Sequence, residues 1–543
     1  MPSPEPSRFP VQDFVPMDQS LEWRLSPFWW EARAQDAFSG GDVPYLVTSD
    51  GRLADQAAQV FLAAAGATAP GSPLWILEAG AGNGLFARLF LLSLRERCEE
   101  AGSDVFSRVR YVVADASPGM IRKLADGGLL ADFHDQVWLV AAPLPGIDAA
   151  LAEADPALGP AVRWSMVALN YVLDSLPATI LRRRGDRVEE LRLRTFLHED
   201  AVWYSQTGME HSDILDLVRK GDADSLQRLL PLLHHLRMDA RFTPVDPARL
   251  PDPARVPPEE GAFSHGFGAL AALDEVTRRL APGGFVLLND YAFEGAGDPP
   301  IAEFQRFGGS AALGLNFAQI DRAMGGAGLA SIAPTNPDPT LPARMIGRDV
   351  APAAVERFRA LFGTETRDRL KNPLEQIAAH AEEGRTGEAL NLWQGLLDDN
   401  PRNWHVREQA AVFLTHHAGL HESAIEVARE AHRLHPCAAS IWNVLGDAFL
   451  HLKDTRSAVE CYETSIRLHP GEVRARLNLG TLMNLRGRPS EALGLVNAAL
   501  QHDVRLDYSE DLLTRQREAS QLLMEMRKQE AARTQDRVRH LPE

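Results

Sequence analysis

The sequence predicts two unlike halves: an α/β domain on a mostly parallel sheet with helices on both faces, then an all-α repeat solenoid. Up to about residue 345, short apolar runs alternate with helical stretches and glycine turns, which is the pattern of parallel strands joined by crossover helices. Beyond about residue 370 no strand signal remains, and small residues and prolines recur at a fixed period. Composition frames both observations. The 543 residues are 45% apolar and 24% charged, as expected of globular domains rather than disorder or a disulfide scaffold. A net charge of −18 argues against a nucleic-acid partner, which needs a basic surface to neutralise phosphates.

The elements follow in order. The opening MPSPEPSRFPVQDF carries acids and prolines where a secretory leader would carry a basic and then an apolar run. Strands are expected at Leu74–Glu78, Val109–Ala114, Val137–Val140, Ser165–Leu169 and Gly284–Asn289. The most apolar stretch, Leu74 to Leu94, is interrupted by Glu78, Arg88 and glycines, so no membrane span is expected. Between residues 205 and 266 lies an insertion. Its first part, DILDLVRKGDADSLQRLLPLLHHLRM, reads as two amphipathic helices, and its second, FTPVDPARLPDPARVPPEEG, as a proline-rich loop. The segment Pro334 to Pro342 reads as a turn or linker. Cys98, Cys437 and Cys461 form no CxxC pair, which leaves no zinc or redox motif. So few cysteines, with no targeting segment, fit a reducing cytoplasm.

The sharpest local signal is LWILEAGAGNGLFARLF. A strand ends in Glu78, and Gly80, Gly82 and Gly84 follow at alternate positions before a helix. Glycines there allow a tight strand-to-helix turn and close backbone approach to a ligand. The pattern is E-x-G-x-G-x-G, not the G-x-G-x-x-G of dinucleotide sites. The carboxylate can receive an ammonium and would repel a pyrophosphate. The next strand ends in Asp115, followed by Ser117, Pro118 and Met120.

These spacings resemble motif I and the second-strand acid of class I S-adenosylmethionine-dependent methyltransferases. The resemblance implies a Rossmann-like methyltransferase domain with S-adenosylmethionine as cofactor. Its binding residues would be Glu78, Gly80, Ala81, Gly82, Gly84, Asp115, Ala116, Ser117 and Asn170. Asp115 would accept from both ribose hydroxyls. Ala141 and Ala142 stand where relatives often carry an acid for the adenine amine, so how the adenine is held stays open.

The fourth strand narrows the resemblance. SMVALNYVLDSLPATILRRRGDRVEELRLRTF, with Asn170, Asp174, Leu176 and Pro177, resembles the N-E-x-x-D-A-L-P segment of MidA-like methyltransferases, a family that includes a protein arginine methyltransferase. There the chain continues into a strand hairpin ending near a Glu-Leu pair, here Glu190–Leu191. LAPGGFVLLNDYAF supplies Asp290 and Tyr291 to a later family segment, GLNFAQID resembles another, and PYLVTSDGRLADQAAQVF, with Thr48, resembles the region before motif I. The likeness runs in order over roughly residues 20–350. One departure is Tyr171, which stands where the family has Glu and removes a carboxylate that would hold a guanidinium. Asn170 and Tyr171 also resemble the polar-aromatic pair that cups an acceptor nitrogen in many N-methyltransferases. Asn170, Tyr171 and Asp174 are therefore the candidate catalytic residues. The alternative makes them a turn former, a packed ring and a helix cap. Direct methyl transfer needs alignment of nucleophile, methyl and leaving sulfur rather than a metal. The adjacent pairs His234–His235 and His416–His417 lack ligand spacing and read as surface or packing residues.

In the second half Ala389, Ala424, Ala458 and Ala492 lie 34 or 35 residues apart, and Pro401, Pro436 and Pro470 follow the first three by twelve. This period resembles tetratricopeptide repeats. The best copy holds Trp442, Leu445, Gly446, Phe449, Ala458, Tyr462, Ser465 and Pro470. Gly446 and Ala458 would let two helices approach, with Trp442, Phe449 and Tyr462 filling gaps between repeats. In the next copy Val504 replaces the proline. An amphipathic stretch with Leu512, Leu513, Leu522, Leu523 and Met526 on one face would cap the array, and the charged end reads as frayed helix or tail.

The expected organisation is a methyltransferase domain over 1–365, carrying the insertion at 205–266, about four repeats over 372–505, and a capping helix and tail over 506–543. The expected activity is methyl transfer from S-adenosylmethionine to a protein or peptide side chain, on nitrogen, with arginine as one candidate. The repeats would recruit the substrate or a partner. The insertion would be a lid or recognition element near the acceptor, or a surface decoration. One alternative keeps the enzyme with a small-molecule acceptor and uses the repeats for homodimerisation. Another is a non-catalytic adaptor that binds the cofactor.

Overall fold

The computed structural model describes residues 8–34, 36–39, 50–66, 71–198, 201–293, 305–338, 341–363, 370–503, 506 and 508–539. The chain forms two compact units, Met1–Thr366 and Arg367–Glu543. The first contains β1 (Arg8–Pro16), α1 (Leu21–Arg33), α2 (Arg52–Ala65), β2 (Leu74–Ala79), α3 (Leu85–Ala101), β3 (Val109–Asp115), α4 (Pro118–Gly127), β4 (Val137–Ala141), α5 (Ile147–Ala154) and β5 (Trp164–Asn170). The hairpin β6 (Thr179–Arg184) and β7 (Arg187–His198) follows, then α6 (His211–Lys220), α7 (Ala223–Leu229), β8 (Leu236–Val245) and β9 (Gly261–His265). The unit closes with α8 (Phe267–Thr277), β10 (Leu280–Asn289), α9 (Phe317–Gly326), β11 (Ala330–Ile332), β12 (Ala343–Gly347) and α10 (Pro352–Leu361).

Seven strands form the main sheet in the order β11-β12-β10-β5-β2-β3-β4. Five of them, β10, β5, β2, β3 and β4, run parallel, while β12 lies antiparallel to both β10 and β11. The central strands read LWILEA, VRYVVAD and WSMVALN because helices cover both faces, so nearly every position is buried. Leu77, Val112, Val167, Val286 and Ile346 share one core with Leu270 and Leu273 of α8. This is the methyltransferase-like α/β architecture that the motifs imply. The chain leaves β2 towards β3 and β4, then returns to β5 on its other side. That reversal opens a crevice at the carboxyl ends of β2 and β5, where open α/β sheets bind ligands.

A second sheet runs β1-β7-β6-β9, with β8 along the other side of β7. Here the structure corrects two expectations. The hairpin turns at Gly185–Asp186, and Glu190 and Leu191 lie inside a returning strand that continues to His198. In the insertion, α6 and α7 form as expected, but FTPV belongs to β8, whose Phe242 pairs with Leu191. Arg237, Asp239, Ala240 and Arg241 are all exposed, so β8 shows little alternation, and Pro244 is tolerated on a strand that pairs only with β7. The segment from Pro334 falls in the chain between the antiparallel β11 and β12, inside the first unit rather than at its boundary with the second. Thr48 and Val504 lie outside the described residues.

The element with most bearing on the site is α1. Ser20 caps it, accepting from the Trp23 N–H at 3.3 Å. Leu21, Leu25 and Trp29 on one face pack with Ile214 and Leu217 of α6 and Leu226 and Leu229 of α7.

The second unit is helical throughout its described residues. Four antiparallel pairs follow: α11 (Lys371–Glu382) with α12 (Thr386–Asp399), α13 (Trp404–Phe413) with α14 (His421–Leu434), α15 (Ala439–His451) with α16 (Thr455–Leu468), and α17 (Val473–Leu485) with α18 (Pro489–His502). A side chain at Gly446 would stand 2.5 Å from the Tyr462 ring, so the glycine is what admits that fully buried ring between α15 and α16. The Tyr462 hydroxyl donates to Asp447 at 2.7 Å. The last helix, α19 (Ser509–Arg539), buries Leu512 and Ala519, whereas Leu513 and Met526 are exposed. The buried stripe follows a seven-residue step from Leu512, which puts the neighbouring Leu513 on another face. No helix among the described residues is long and apolar enough to cross a membrane.

Candidate functional site

The glycine turn closes against the end of β3. The N–H groups of Gly80 and Ala81 both donate to the Ala114 carbonyl, at 2.9 and 3.0 Å. Gly80, Gly82 and Gly84 have φ of +73°, +54° and +73°, the left-handed region that favours glycine. Space adds a second reason. A Cβ would stand 2.5 Å from Val172 at Gly80, 2.8 Å from Phe38 at Gly82 and 2.7 Å from Leu124 at Gly84. Gly84 stands apart from the other two: it starts α3, packs against α4, and does not line the cavity described below.

Two acids flank the turn. Glu78 is 3% exposed and accepts from the Tyr111 hydroxyl at 2.9 Å. Burial pushes its carboxyl up to about 8, the tyrosine bond partly opposes this, and the nearby Asp115 adds to it. Asp115 accepts from the Gly82 N–H through Oδ2 at 3.0 Å and from the Ser117 N–H through Oδ1 at 2.9 Å. Burial raises its carboxyl above the usual range, against those two bonds, and the charge of Glu31 adds to the rise. Ser117 caps α4, accepting from the Met120 N–H at 3.1 Å, and its hydroxyl donates to Glu31 of α1 at 2.6 Å.

A cavity of about 860 Å³ opens on these groups at the carboxyl ends of the strands. One end is lined by Glu78, Gly80–Asn83, Asp115–Pro118, Met120 and Ala142–Leu144. Its Met120, Ala142, Pro143 and Leu144 form an apolar slot in place of the missing third-strand acid. The other end is walled by Asn170, Tyr171, Val172, Asp174–Pro177 and Tyr291, with Trp23, Phe28 and Trp30 from α1. The structure thus brings Glu78, Gly80, Ala81, Gly82, Asp115, Ala116, Ser117, Asn170, Tyr171 and Asp174 onto one cavity.

Asn170 ends β5 beside Asn289 at the end of β10, the two being register partners. Its Oδ1 accepts from the Asn289 amide at 2.8 Å, while its own Nδ2 is buried with no partner. An unsatisfied buried donor is costly, and this one belongs to a residue that lines the cavity. Tyr171 has φ +54°, a strained backbone for a non-glycine that costs about 1–3 kcal/mol and concentrates at functional sites. Its ring lies 5.5 Å from that of Tyr291. Asp174 sits inside the 3-10 turn Leu173–Ser175 rather than capping a helix. The group that holds this turn is Asp290, whose Oδ2 accepts from the N–H groups of Leu173 and Asp174 at 2.9 and 3.3 Å. Both carboxyls are buried, at 5% and 0% exposure. Among the described residues no Arg, Lys or His forms an ion pair with either. Burial raises both above the carboxylate range, and the Asp174 charge pushes Asp290 further.

Comparison with known proteins divides along the same line. Residues 374–439 and 443–503 match the tetratricopeptide repeat family model. The helical half is a tetratricopeptide repeat array. Human protein O-mannosyl-transferase TMTC2 is 29% identical over 116 residues, 20% of this chain and 14% of that protein. The chain therefore spans a small part of the length of this curated relative. A COG1565 superfamily member from Burkholderia thailandensis, solved bound to S-adenosyl-homocysteine, is 17% identical, with a TM-score of 0.39 over 63% of this chain and 90% of that one. An uncharacterised protein of the same superfamily and organism is 18% identical, with a TM-score of 0.36 over 59% and 73%. In the tetratricopeptide array, His416 bonds to Asp447 at 3.1 Å and His417 stacks on Phe413. No group of three or more His, Cys, Asp or Glu that could hold a metal occurs among the described residues.

Several groups at the site were not singled out from the sequence. Glu31, Trp30 and Phe38 come from a segment that carries no motif, and nothing in their spacing marks them. Asn289 does carry a signal, because LLND places polar residues at the end of a buried strand, as LN does in β5, and its neighbour Asp290 is named from that same segment. The insertion lines no part of the cavity. It supports α1 from behind, which replaces the expectation of a lid.

Proposed function

We propose that this protein is an S-adenosylmethionine-dependent methyltransferase acting on a side-chain nitrogen of a protein or peptide recruited by the repeats. One observation carries the reading: a single cavity is lined by the glycine turn and Asp115 and also by Asn170, Tyr171 and the buried carboxyl of Asp174. The residues fit the cofactor. Two buried acids suit an ammonium and a diol, and the apolar slot suits a flat base. When bound, the cofactor supplies a methyl group on a sulfonium already activated for displacement.

The chain's own residues supply the rest. Asp115, its two oxygens oriented by Gly82 and Ser117, would accept from ribose hydroxyls. Glu78 would ionise opposite an ammonium, because a cation offsets the burial that keeps it protonated. Asn170 would donate from Nδ2 to a ligand oxygen. Tyr171, Tyr291 and Trp30 wall the other end of the cavity with rings and exclude water. A nitrogen acceptor must shed a proton to attack, and Asp174, held by Asp290 through the turn, is the group that would take it. With no cation paired to either carboxyl, that end of the cavity favours an acceptor that brings its own positive charge. Arginine is the first acceptor to test, with Asp174 on the cavity wall replacing the carboxylate lost at Tyr171.

Calorimetry with S-adenosylmethionine on the wild type and on Asp115→Ala tests the cofactor site. Binding that weakens at least tenfold in the variant, about 1.4 kcal/mol, supports it. Absence of wild-type binding would remove the enzyme reading. Labelled methyl transfer to lysate protein, lost in Asp174→Asn at unchanged cofactor affinity, tests the acceptor role.

A further inference from the structure

The contact between α1 and the cofactor turn is more specific than packing requires. Glu31, in the last turn of α1, accepts through Oε2 from the Ser117 hydroxyl at 2.6 Å and the Gly119 N–H at 2.9 Å. Its Oε1 accepts from Arg122 at 2.9 Å. A side chain on Gly119 would stand 3.0 Å from that carboxylate, so the fit leaves no slack. Glu31 thus caps α4 from a different helix, placing an anion where the helix N-terminus favours one. These bonds hold it ionised, its carboxyl falling below the usual range despite burial.

The same bonds form a chain to the glycine turn. Glu31 fixes Ser117, the Ser117 N–H fixes one oxygen of Asp115, and the other oxygen takes the Gly82 N–H. On the same helix Trp30 donates to Ser310 at 3.0 Å and lies 5.7 Å from Phe38, the ring that rests on Gly82. Helix α1 therefore bears on the glycine turn twice, through the Glu31 carboxylate on Ser117 and through Trp30 packed on Phe38.

We propose that Glu31 is a positioning residue for the cofactor: through Ser117 it orients Asp115, and it thereby sets cofactor affinity and residence without taking part in methyl transfer. The inference rests on the methyltransferase reading above. Four full-length chains test it: wild type, Glu31→Ala, Glu31→Gln and Arg122→Ala. S-adenosylmethionine affinity is read by calorimetry, and amide exchange at residues 115–120 is read without ligand.

Glu31→Ala is expected to weaken binding about tenfold, the scale of a lost hydrogen bond to a charged group. Exchange at the α4 turn should quicken in that variant while exchange in β2 stays the same. Glu31→Gln keeps an oxygen for Ser117 and Gly119 and should stay within about threefold of wild type. Arg122→Ala should match wild type, because that ion pair is exposed. At saturating cofactor the turnover of Glu31→Gln should equal that of wild type. Wild-type affinity in Glu31→Ala, or a fall in Glu31→Gln turnover at saturation with affinity intact, would overturn the assignment of Glu31 alone. A wild type that does not bind S-adenosylmethionine would overturn the methyltransferase reading itself.

Discussion

Glu78 shows how a single buried carboxyl links ligand binding to stability. Its folded value of about 8 lies above its ordinary 4.5, so the folded state holds the proton more tightly than the unfolded chain does. Linkage then makes the ligand-free protein lose stability as pH rises from 4.5 towards about 8. Glu78→Gln should flatten that slope and raise the melting temperature at pH 8, while weakening cofactor binding at least tenfold. A melting series over that pH range checks the first effect and calorimetry the second. An unchanged slope in the variant would show that another group titrates. Because an ammonium draws Glu78 into its charged form, cofactor binding near neutral pH should release a proton. Binding heats measured in two buffers of different ionisation enthalpy will show it.

Among the elements, legibility followed burial. The strands β2, β3, β5 and β10 are covered on both faces, so their apolar runs stand out in the sequence. β8 is largely exposed between Leu236 and Phe242, and its RMDAR shows no clear alternation to read. On α19 the same rule misled, because Leu513 is as apolar as Leu512 yet exposed. That Glu78, Gly80–Gly82 and Asp115–Ser117 share one cavity was legible because they are local runs at strand ends. Glu31 was not, since it reaches the site from a part of the chain that carries no motif. Two element-level outcomes follow. Leu229→Ala in α7 removes a fully buried side chain and should cost about 2–5 kcal/mol. It should also weaken cofactor binding, although the residue lines no part of the cavity, because its cluster anchors α1. In the repeats, Gly446→Ala forces a methyl group against the Tyr462 ring and should cost about 1–3 kcal/mol, read by urea unfolding of the helical unit.

At the scale of the molecule, the two units predict separable phenotypes. A chain ending at residue 366 should keep the cofactor affinity of the full chain, since every residue of the cavity lies in the first unit. Its methyl transfer to a protein substrate should fall at least tenfold if the repeats recruit that substrate, and should stay unchanged for a small acceptor. Labelled-methyl assays on the two chains separate these outcomes. In calorimetric melts of the full protein, cofactor should raise the transition of the first unit and leave that of the repeats in place.

The placement of β1 also bears on how the protein is made. On the ribosome β1 emerges early, yet its partner in the sheet is the far end of β7, with Pro16 opposite Arg192 and Arg8 opposite His198. The strands β2 to β5 lie between them in the chain and pair among themselves with far shorter loops to close. Synthesis should therefore leave β1 and α1 waiting while β2 to β5 pair, and the cavity would gain its α1 wall late. Ribosome-stalled chains ending before β7 should carry β2 to β5 paired, with the segment of β1 and α1 still open to protease. A nascent chain built this way would close the α1 side of its cavity only after His198 had been made.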